Sequence, residues 1–345
     1  MRIITCASYF GTGSSAVTDL ISEYDNVSSL GDYEFSFAYC TDGLSDLEHH
    51  IVEAPNRNNS GFALKRFEKI SRFNAGRWFN RRYEAFFHGQ YWKFTQEYID
   101  KLLEFKTPGY RFDDVLSKGI FFYYVNSLVW HISKKIGIPI NILPSEQQYY
   151  SHLDEDTFLK YTKEYTSKLL NSLINKTDYL MIDQLLPSSN IDRCLRYFED
   201  NIYVFVVDRD PRDVFLANKY IWKDYPSKDP YEFCKWFRFT HECSKGQKTD
   251  AKKVLFLNFE DLIYNYEETV SKVEAMIGIN KESHSNQFAC FNPKQSINNT
   301  RLWEKLGTKE EIEIIASELP EYLYDFSQVK DTVIFGNNVE NLNIF

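Results

Sequence analysis

The chain has 345 residues, of which 43% are hydrophobic and 26% charged, so it is long enough for a full core and too apolar for general disorder. Its formal net charge of −9 argues against broad binding to a nucleic-acid backbone, which needs a basic surface, although a local basic patch is compatible with it. Aromatic residues make up 17% of the chain, which indicates a pocket beyond the core itself.

Targeting signals and cysteine motifs are sparse. No charged leader followed by a long apolar run opens the chain, and the most apolar stretch, 119–132, is interrupted by Asn126 and His131. The six cysteines form no Cys-x-x-Cys pair, which indicates reduced thiols rather than a zinc site or a disulfide framework. We therefore expect no signal peptide, no membrane span and a cytoplasmic location.

The first predicted elements are a strand, a loop and a helix. Residues 3–7 read as a short buried strand, and residues 8–15 supply turn-forming residues. An apolar stripe with helical spacing follows at Val17, Leu20, Ile21 and Tyr24. The loop therefore leads into a helix N-terminus.

Three later apolar runs, 179–182, 202–207 and 254–257, end at or near acidic residues, and each precedes a helical pattern. Continuous apolar strands alternating with helices predict an α/β fold with a parallel sheet flanked by helices. Residues 35–178 are aromatic, charged and helical in texture. We predict one domain, 1–345, with a core of residues 1–34 and 179–320 and a large helical insertion at 35–178.

The loop after the first strand has the composition of a phosphate site. Gly11 and Gly13 let the backbone approach a ligand, and Thr12, Ser14 and Ser15 add hydroxyl groups. The alternative is an ordinary strand-to-helix turn in which Ser14 caps the helix.

Known phosphate-binding patterns match this loop incompletely. A Walker A loop requires a lysine that is absent here, which leaves a P-loop kinase or other nucleotide-binding module as a second alternative. The run Gly11-x-Gly13-x-x-Ala16, with Asp32 or Glu34 about twenty residues on, fits a dinucleotide fingerprint. A Rossmann-type NAD(P) oxidoreductase is therefore the first alternative.

The strand at 202–207 is followed by Asp-Arg-Asp-Pro-Arg-Asp-Val at 208–214. This run resembles the second signature of sulfotransferases that use 3′-phosphoadenosine-5′-phosphosulfate (PAPS), Arg-[Asp/Asn]-Pro-[Arg/Lys]-Asp-Val. Residues 254–262 resemble the family's strand with an aromatic-Glu-Asp-Leu ending, and residues 298–303 resemble its late loop ending in Trp. The order of all the pieces agrees with that family.

The resemblance implies a P-loop-like parallel sheet and transfer of a sulfuryl group from PAPS to an acceptor, with 3′,5′-adenosine diphosphate as product and no metal. It implies contacts to the 5′-phosphosulfate from the loop and to the 3′-phosphate from Arg209, with Thr300 and Arg301 in the late loop. Two positions depart from the family. Gly11 stands where a Lys or Arg is usual, and Ala217 stands where a serine is usual, so we take the neighbouring Asn218 as the candidate phosphate contact.

Residues 57–93 could supply the positive charge that the loop lacks. They contain nine Lys or Arg and two Glu, which gives this stretch a net charge of +7. One interpretation is a solvated amphipathic helix. The other assigns Lys65 and Arg66 to neutralise the leaving phosphate.

Asp183 is our candidate for the general base, since it ends the apolar run 179–182 and should reach the same sheet edge as Arg209. Gln184 competes for the family's equivalent position and could orient the acceptor without deprotonating it. The aromatic insertion fits a steroid-like or phenolic alcohol, or a saccharide such as a bacterial glycan. The sequence gives no oligomeric state.

Overall fold

The computed structural model describes residues 1–31, 33–77, 80–109, 118–140, 146–173, 177–223 and 228–329. Asp32, one of the two acidic residues proposed for a dinucleotide ribose, lies outside the described residues. The chain divides into two units, which we call the core unit (Met1–Ala38 with Ile174–Phe345) and the insert unit (Tyr39–Leu173).

The core unit begins with β1 (Arg2–Cys6), α1 (Ser14–Ser22) and β2 (Val27–Ser29). The helix buries Val17, Leu20 and Ile21 of the predicted apolar stripe, and Tyr24, the fourth residue of the stripe, is buried just after the helix ends. A short 3₁₀ turn at Ser36–Ala38 precedes the insert unit.

The insert unit is mainly helical. Its helices are α2 (Leu44–Glu48), which continues into a π-helix at His49–Glu53, then α3 (Asn59–Ala75), α4 (Tyr83–Phe86), α5 (Tyr91–Leu102), α6 (Ile120–Ile136) and α7 (Glu155–Ser172). It also contains two small antiparallel sheets, β3 (Gly76–Arg77) with β4 (Asn80–Arg81), and β5 (Phe105–Gly109) with β6 (Glu146–Tyr150). The sequence patterns did not predict these sheets, because β5 and β6 are joined only by pairing between distant segments.

The chain returns to the core unit with β7 (Tyr179–Ile182), α8 (Ile191–Leu195), β8 (Ile202–Asp208), α9 (Pro211–Leu216), a π-helix (Ala217–Trp222), α10 (Pro230–Glu242) and β9 (Val254–Asn258). Then follow α11 (Phe259–Tyr264), α12 (Tyr266–Ile277), α13 (Pro293–Ser296) and α14 (Lys309–Glu318). Short 3₁₀ turns lie at Lys281–Ser283, Ile297–Asn299, Leu302–Glu304, Pro320–Tyr322 and Phe326–Gln328.

The five strands of the core unit form one sheet in the order β2-β7-β1-β8-β9, and all four pairings are parallel. The predicted parallel sheet flanked by helices is therefore confirmed. Numbered along the chain within this sheet, the order is 2-3-1-4-5, which differs from the 3-2-1-4-5 order of the dinucleotide-binding fold. The oxidoreductase alternative therefore loses its structural basis.

One apolar core joins α1 to the sheet and to α12. It contains Ile4 and Cys6 of β1, Leu20 and Ile21 of α1, Met181, Phe205, Val207, Val273 and Ile277. All six cysteines lie among the described residues and are free thiols. In the described parts of the chain, no helix has both the length and the apolar character that crossing a bilayer requires.

Candidate functional site

Three of the predicted site features of the core unit, namely the glycine loop, Asp183 and Arg209, lie at the carboxyl ends of neighbouring strands. Strand β1 pairs with β7 on one side and β8 on the other, with Thr5 opposite Ile182 and Cys6 opposite Phe205. The glycine loop follows β1, Asp183 follows β7, and Arg209 follows β8. The carboxyl edge of a parallel sheet is where open α/β folds bind ligands.

Both glycines of the loop adopt left-handed backbone, with φ of 76° at Gly11 and 96° at Gly13. A Cβ atom on Gly13 would also come within 2.7 Å of Cδ2 of Phe259, so neither the conformation nor the space admits a side chain. Gly13 is itself the N-cap of α1, and no side chain caps that helix. The alternative in which Ser14 is the cap is therefore wrong, and the first N–H groups of α1 receive no side-chain acceptor from the described residues.

The hydroxyl of Thr12 is directed into the protein. Its side chain is fully buried, and Oγ1 lies 2.7 Å from the carbonyl oxygen of Val207 and 2.8 Å from that of Tyr9, so its single hydrogen can be donated to either one. Ser14 and Ser15 are half-buried in the first turn of α1. Thr12 thus ties the loop to β8, whereas the two serines keep positions from which a hydroxyl can meet a ligand.

Arg209 is 5% exposed and connects two separate loops. Its Nη1 donates to the carbonyl oxygen of Gly11 at 3.3 Å, and its Nη2 donates to that of Asn299. The guanidinium carbon lies 4.9 Å from the centroid of the Phe259 ring. The buried Nε has no hydrogen-bond partner in the described structure, so the guanidinium keeps one N–H for a ligand.

Two buried carboxyl groups interact with each other near the start of α9, and one of them, Asp213, also interacts with Arg209. Burial raises the pKa of Asp213 to about 7, although the positive charge of Arg209 opposes the shift. Burial also raises the pKa of Glu260 well above its usual value, and Asp213 adds to that effect. Asp213 accepts from the backbone N–H groups of Arg301 at 2.9 Å and Leu302 at 2.7 Å. It therefore fixes residues 298–303, which we call the late segment, beside Arg209.

The helix α9 begins as its sequence predicts. Pro211 is its first residue, and the side chain of Asp210 caps it by accepting from the N–H of Arg212 at 2.9 Å. Asp210 also holds the Arg212 guanidinium in a bidentate pair at 2.9 and 2.7 Å. That guanidinium lies 3.8 Å from the Trp303 ring centroid, so Trp303 packs on Arg212.

The late segment is held by Thr300. Its buried hydroxyl donates to the carbonyl of Ile297 at 2.9 Å and accepts from the hydroxyl of Tyr264 at 2.6 Å. Arg301 has φ of 53°, and its half-exposed guanidinium pairs with Glu304. Thr300 therefore fixes the late segment, whereas the Arg301 side chain places a positive charge there that is partly open to solvent.

Asn218 lies in the π-helix that follows α9. Its side chain is fully buried, and among the described residues neither Nδ2 nor Oδ1 has a hydrogen-bond partner. An unpaired buried amide costs about 1–3 kcal/mol per polar group. The π-helical geometry is frequent at functional sites, and the role of Asn218 as a ligand contact stays a prediction.

Asp183 is 3% exposed and directly follows β7. Burial raises the pKa of the Cys6 thiol most, and the negative charge of Asp183 raises it further. The Asp183 carboxylate therefore lies near Cys6, the last residue of β1. Gln184 has φ of 49°, and its Nε2 donates to Ser14 Oγ at 3.4 Å. Gln184 therefore contacts the loop directly, and the role of Asp183 as base stays a prediction.

Sequence reasoning missed His241, a buried residue of α10. Its ring stacks on the ring of Tyr9 in the loop, with 3.8 Å between the ring centroids. Nδ1 lies 2.9 Å from the carbonyl oxygen of Phe237, and Nε2 lies 3.2 Å from both carboxylate oxygens of Asp208. The His241 ring therefore connects Tyr9 of the loop to Asp208 at the end of β8. No sequence signal pointed to it, because His241 follows Asp208 by 33 residues and ends no strand.

Lys65 and Arg66 lie side by side on α3 of the insert unit. Lys65 Nζ lies 3.4 Å from a carboxylate oxygen of Glu146, and Arg66 Nη2 lies 2.5 Å from one of Asp42. Each predicted cation therefore already has a carboxylate partner within its own unit, and their part in catalysis stays a prediction.

A cavity of about 410 Å³ in the core unit is lined by carboxylates, including Asp208, Asp210, Asp261, Glu321 and Asp325. So many negative charges disfavour the binding of an anionic nucleotide in this cavity. Within the described residues, no three His, Cys, Asp or Glu side chains form a group that could hold a metal ion.

Comparisons with solved structures find sulfotransferases. The sulfotransferase domain of the Synechococcus PCC 7002 olefin synthase is 10% identical with a TM-score of 0.42, covering 92% of this chain and 93% of that one. The sulfotransferase domain of the curacin biosynthetic pathway is 11% identical with a TM-score of 0.36, covering 94% and 98%. A retinol dehydratase in complex with androsterone and the inactive cofactor PAP is 12% identical with a TM-score of 0.37, covering 94% and 82%.

No family model matches the sequence, and no curated protein matches it. At these identities and TM-scores the structural likeness carries no argument about function, which depends on the chain's own residues.

Proposed function

We propose that this protein is a sulfotransferase that moves a sulfuryl group from PAPS to a hydroxyl group of an acceptor and releases 3′,5′-adenosine diphosphate. The observation that carries the proposal is the position of Arg209. Its buried guanidinium lies at the end of β8, joins the glycine loop to the late segment, and keeps Nε without a partner in the described structure. A planar, permanently charged donor in that position suits a phosphate group.

The donor's two anionic ends would bind at different elements. The uncapped N-terminus of α1, with Gly11 and Gly13, suits the 5′-phosphosulfate, because free N–H groups and the helix dipole both favour an anion. The hydroxyls of Ser14 and Ser15 add donors there, while Thr12 holds the loop in place.

The 3′-phosphate is assigned to Arg209, with the Asn218 amide and the Arg301 guanidinium as further donors. The unpaired atoms of Asn218 support this assignment, since a ligand would satisfy them. Thr300 contributes by fixing the late segment through Tyr264.

PAPS supplies an activated sulfuryl group, and the protein has to position the acceptor and accept one proton. Sulfuryl transfer resembles phosphoryl transfer, in which positioning and preorganised donors do most of the work. We assign Asp183 to take the proton of the acceptor hydroxyl, because it lies at the same sheet edge as the loop. Lys65 or Arg66 would neutralise the leaving phosphate, which requires exchange of a present carboxylate partner.

We further propose that the insertion, residues 35–178, selects the acceptor, a steroid-like or phenolic alcohol or a saccharide. The prediction rests on its aromatic composition. The same reaction would take place in the cytoplasm, on an acceptor made there.

Calorimetry with a panel of nucleotides tests the donor. We expect 3′,5′-adenosine diphosphate to bind more tightly than 5′-AMP, ATP with Mg²⁺ or NADH, and to bind equally well with EDTA present. Tighter binding of ATP with Mg²⁺ or of NADH would overturn the proposal. Labelled PAPS incubated with a sterol, a phenol and a set of saccharides then identifies the acceptor, and binding of PAPS without transfer to any of them would reduce the protein to a nucleotide-binding module.

A further inference from the structure

Helix α6 (Ile120–Ile136) has no buried residue. Its largest apolar side chains lie open to solvent, with Phe121 80% and Leu128 62% exposed. Phe121, Val125, Leu128, Ile132 and Ile136 are spaced by four, three, four and four residues, so they form one stripe along the helix. We call this set the apolar stripe, and a continuous exposed apolar surface of this kind marks an interaction site.

The charged side chains of residues 118–140 have one sign. Residues 118–140 contain three lysines and no Asp or Glu, in a chain whose net charge is −9. Lys134 and Lys135 lie in the last turn of the helix, and Lys134 Nζ lies 4.0 Å from the Trp130 ring centroid. Lys118 lies just before the first turn of the helix, and its Nζ is 2.6 Å from Oε1 of Glu146.

We propose that α6 docks the protein on an anionic lipid surface, lying in the plane of the interface. At 1.5 Å per residue a helix of 17 residues is about 26 Å long, which suits lying on a bilayer rather than crossing one. An apolar stripe next to lysines and Trp130 is typical of interfacial helices. The inference is independent of the sulfotransferase proposal.

Charge favours lipid over a second copy of the chain as the occupant. Two copies of α6 pairing through their stripes would bring lysines together with no acidic residue in residues 118–140 to offset them. Anionic headgroups complement those lysines, each of which adds about 1 kcal/mol near a charged leaflet, or about fivefold in affinity.

Flotation of the full chain with vesicles tests the proposal. We expect binding to vesicles of phosphatidylcholine with phosphatidylglycerol, weak binding to phosphatidylcholine alone, and release at high salt. Leu128→Glu should weaken binding at least about tenfold, since it removes an inserted side chain. Replacing Lys134 and Lys135 together by alanine should weaken it about 25-fold, and only on anionic vesicles.

Phe239→Glu is the matched control, since Phe239 is 65% exposed on α10 of the core unit and should leave binding unchanged. All three variants change exposed positions, so equal melting temperatures check their folding. Equal vesicle binding by wild type and Leu128→Glu would overturn the proposal. So would an absence of vesicle binding together with a dimer that sedimentation equilibrium detects in the wild type and not in Leu128→Glu, because a second copy would then cover the stripe.

Discussion

The Phe259 ring occupies the space into which a side chain on Gly13 would extend, with 2.7 Å between its Cδ2 atom and an ideal Cβ. The same ring lies 4.9 Å from the guanidinium carbon of Arg209. One aromatic side chain therefore sets both the approach of the loop and the position of the buried cation. Residues from the ends of β1, β8 and β9 meet at this point.

Gly13→Ala should destabilise the protein and weaken nucleotide binding. The left-handed backbone costs about 1–2 kcal/mol for a residue with a Cβ, and the contact with Phe259 adds about 1–3 kcal/mol. Gly31→Ala is the control, because Gly31 has φ of 67° and nothing lies within 4 Å of its added Cβ. Urea unfolding of both variants measures the difference, and equal losses would contradict the role assigned to Phe259.

Arg209→Ala should weaken binding of 3′,5′-adenosine diphosphate by about 2–4 kcal/mol through loss of a charge-assisted phosphate contact. Binding of 5′-AMP, which lacks the 3′-phosphate, should change much less. Calorimetry with both nucleotides separates a specific contact from general damage to the fold. A parallel loss for both nucleotides would argue that Arg209 only bridges Gly11 and Asn299.

Asp213 gives the stability a defined pH dependence. Its folded pKa of about 7 lies above the ordinary 3.8, so the folded state holds its proton more tightly than the unfolded state. This contribution to stability is complete below about pH 4 and is lost as the pH rises to about 7, with a slope of at most about 1.4 kcal/mol per pH unit. Urea unfolding from pH 4 to 8 should show this slope reduced in Asp213→Asn, and an unchanged slope would show that the carboxyl is not the cause.

Thr12→Val should lower the free energy of unfolding by about 1–3 kcal/mol, because the buried carbonyl groups of Val207 and Tyr9 lose their hydroxyl donor. Thr12→Ser keeps the donor and should retain most of the stability. Chemical denaturation of the pair checks this. If the serine variant loses as much as the valine variant, packing of the methyl group rather than the hydrogen bonds explains the burial of Thr12.

Asp183→Asn should lower turnover by roughly 10²- to 10⁴-fold, as removal of a general base does, and leave the affinity for 3′,5′-adenosine diphosphate nearly unchanged. Gln184→Ala is the comparison, because it removes the contact to Ser14 without removing a base. Transfer of labelled sulfate measures both variants. Full turnover in Asp183→Asn would move the search for the base to the insert unit, beginning with His88 and His131.

The parallel sheet could be predicted from the sequence alone, because its buried strands are continuous apolar runs separated by turn-forming residues and helical patterns. The positions of Arg209 and of the Gly11 to Ser15 loop at strand ends could also be predicted, since they depend on residues adjacent in the chain. Pro211 marked the start of α9 for the same reason, as proline fits the first helical turn.

The contacts between distant segments depend on the tertiary structure. The stacking of His241 on Tyr9, the bridge from Arg209 to Asn299 and the fit of Phe259 against Gly13 each join residues from different elements, and no local pattern encodes such neighbours. The hydroxyl of Thr12 is a further example. The loop composition predicts that it contacts a ligand, whereas in the folded protein it lies against the carbonyl oxygen of Val207. Side-chain partners depend on strand order and packing, which local propensity and periodicity leave open.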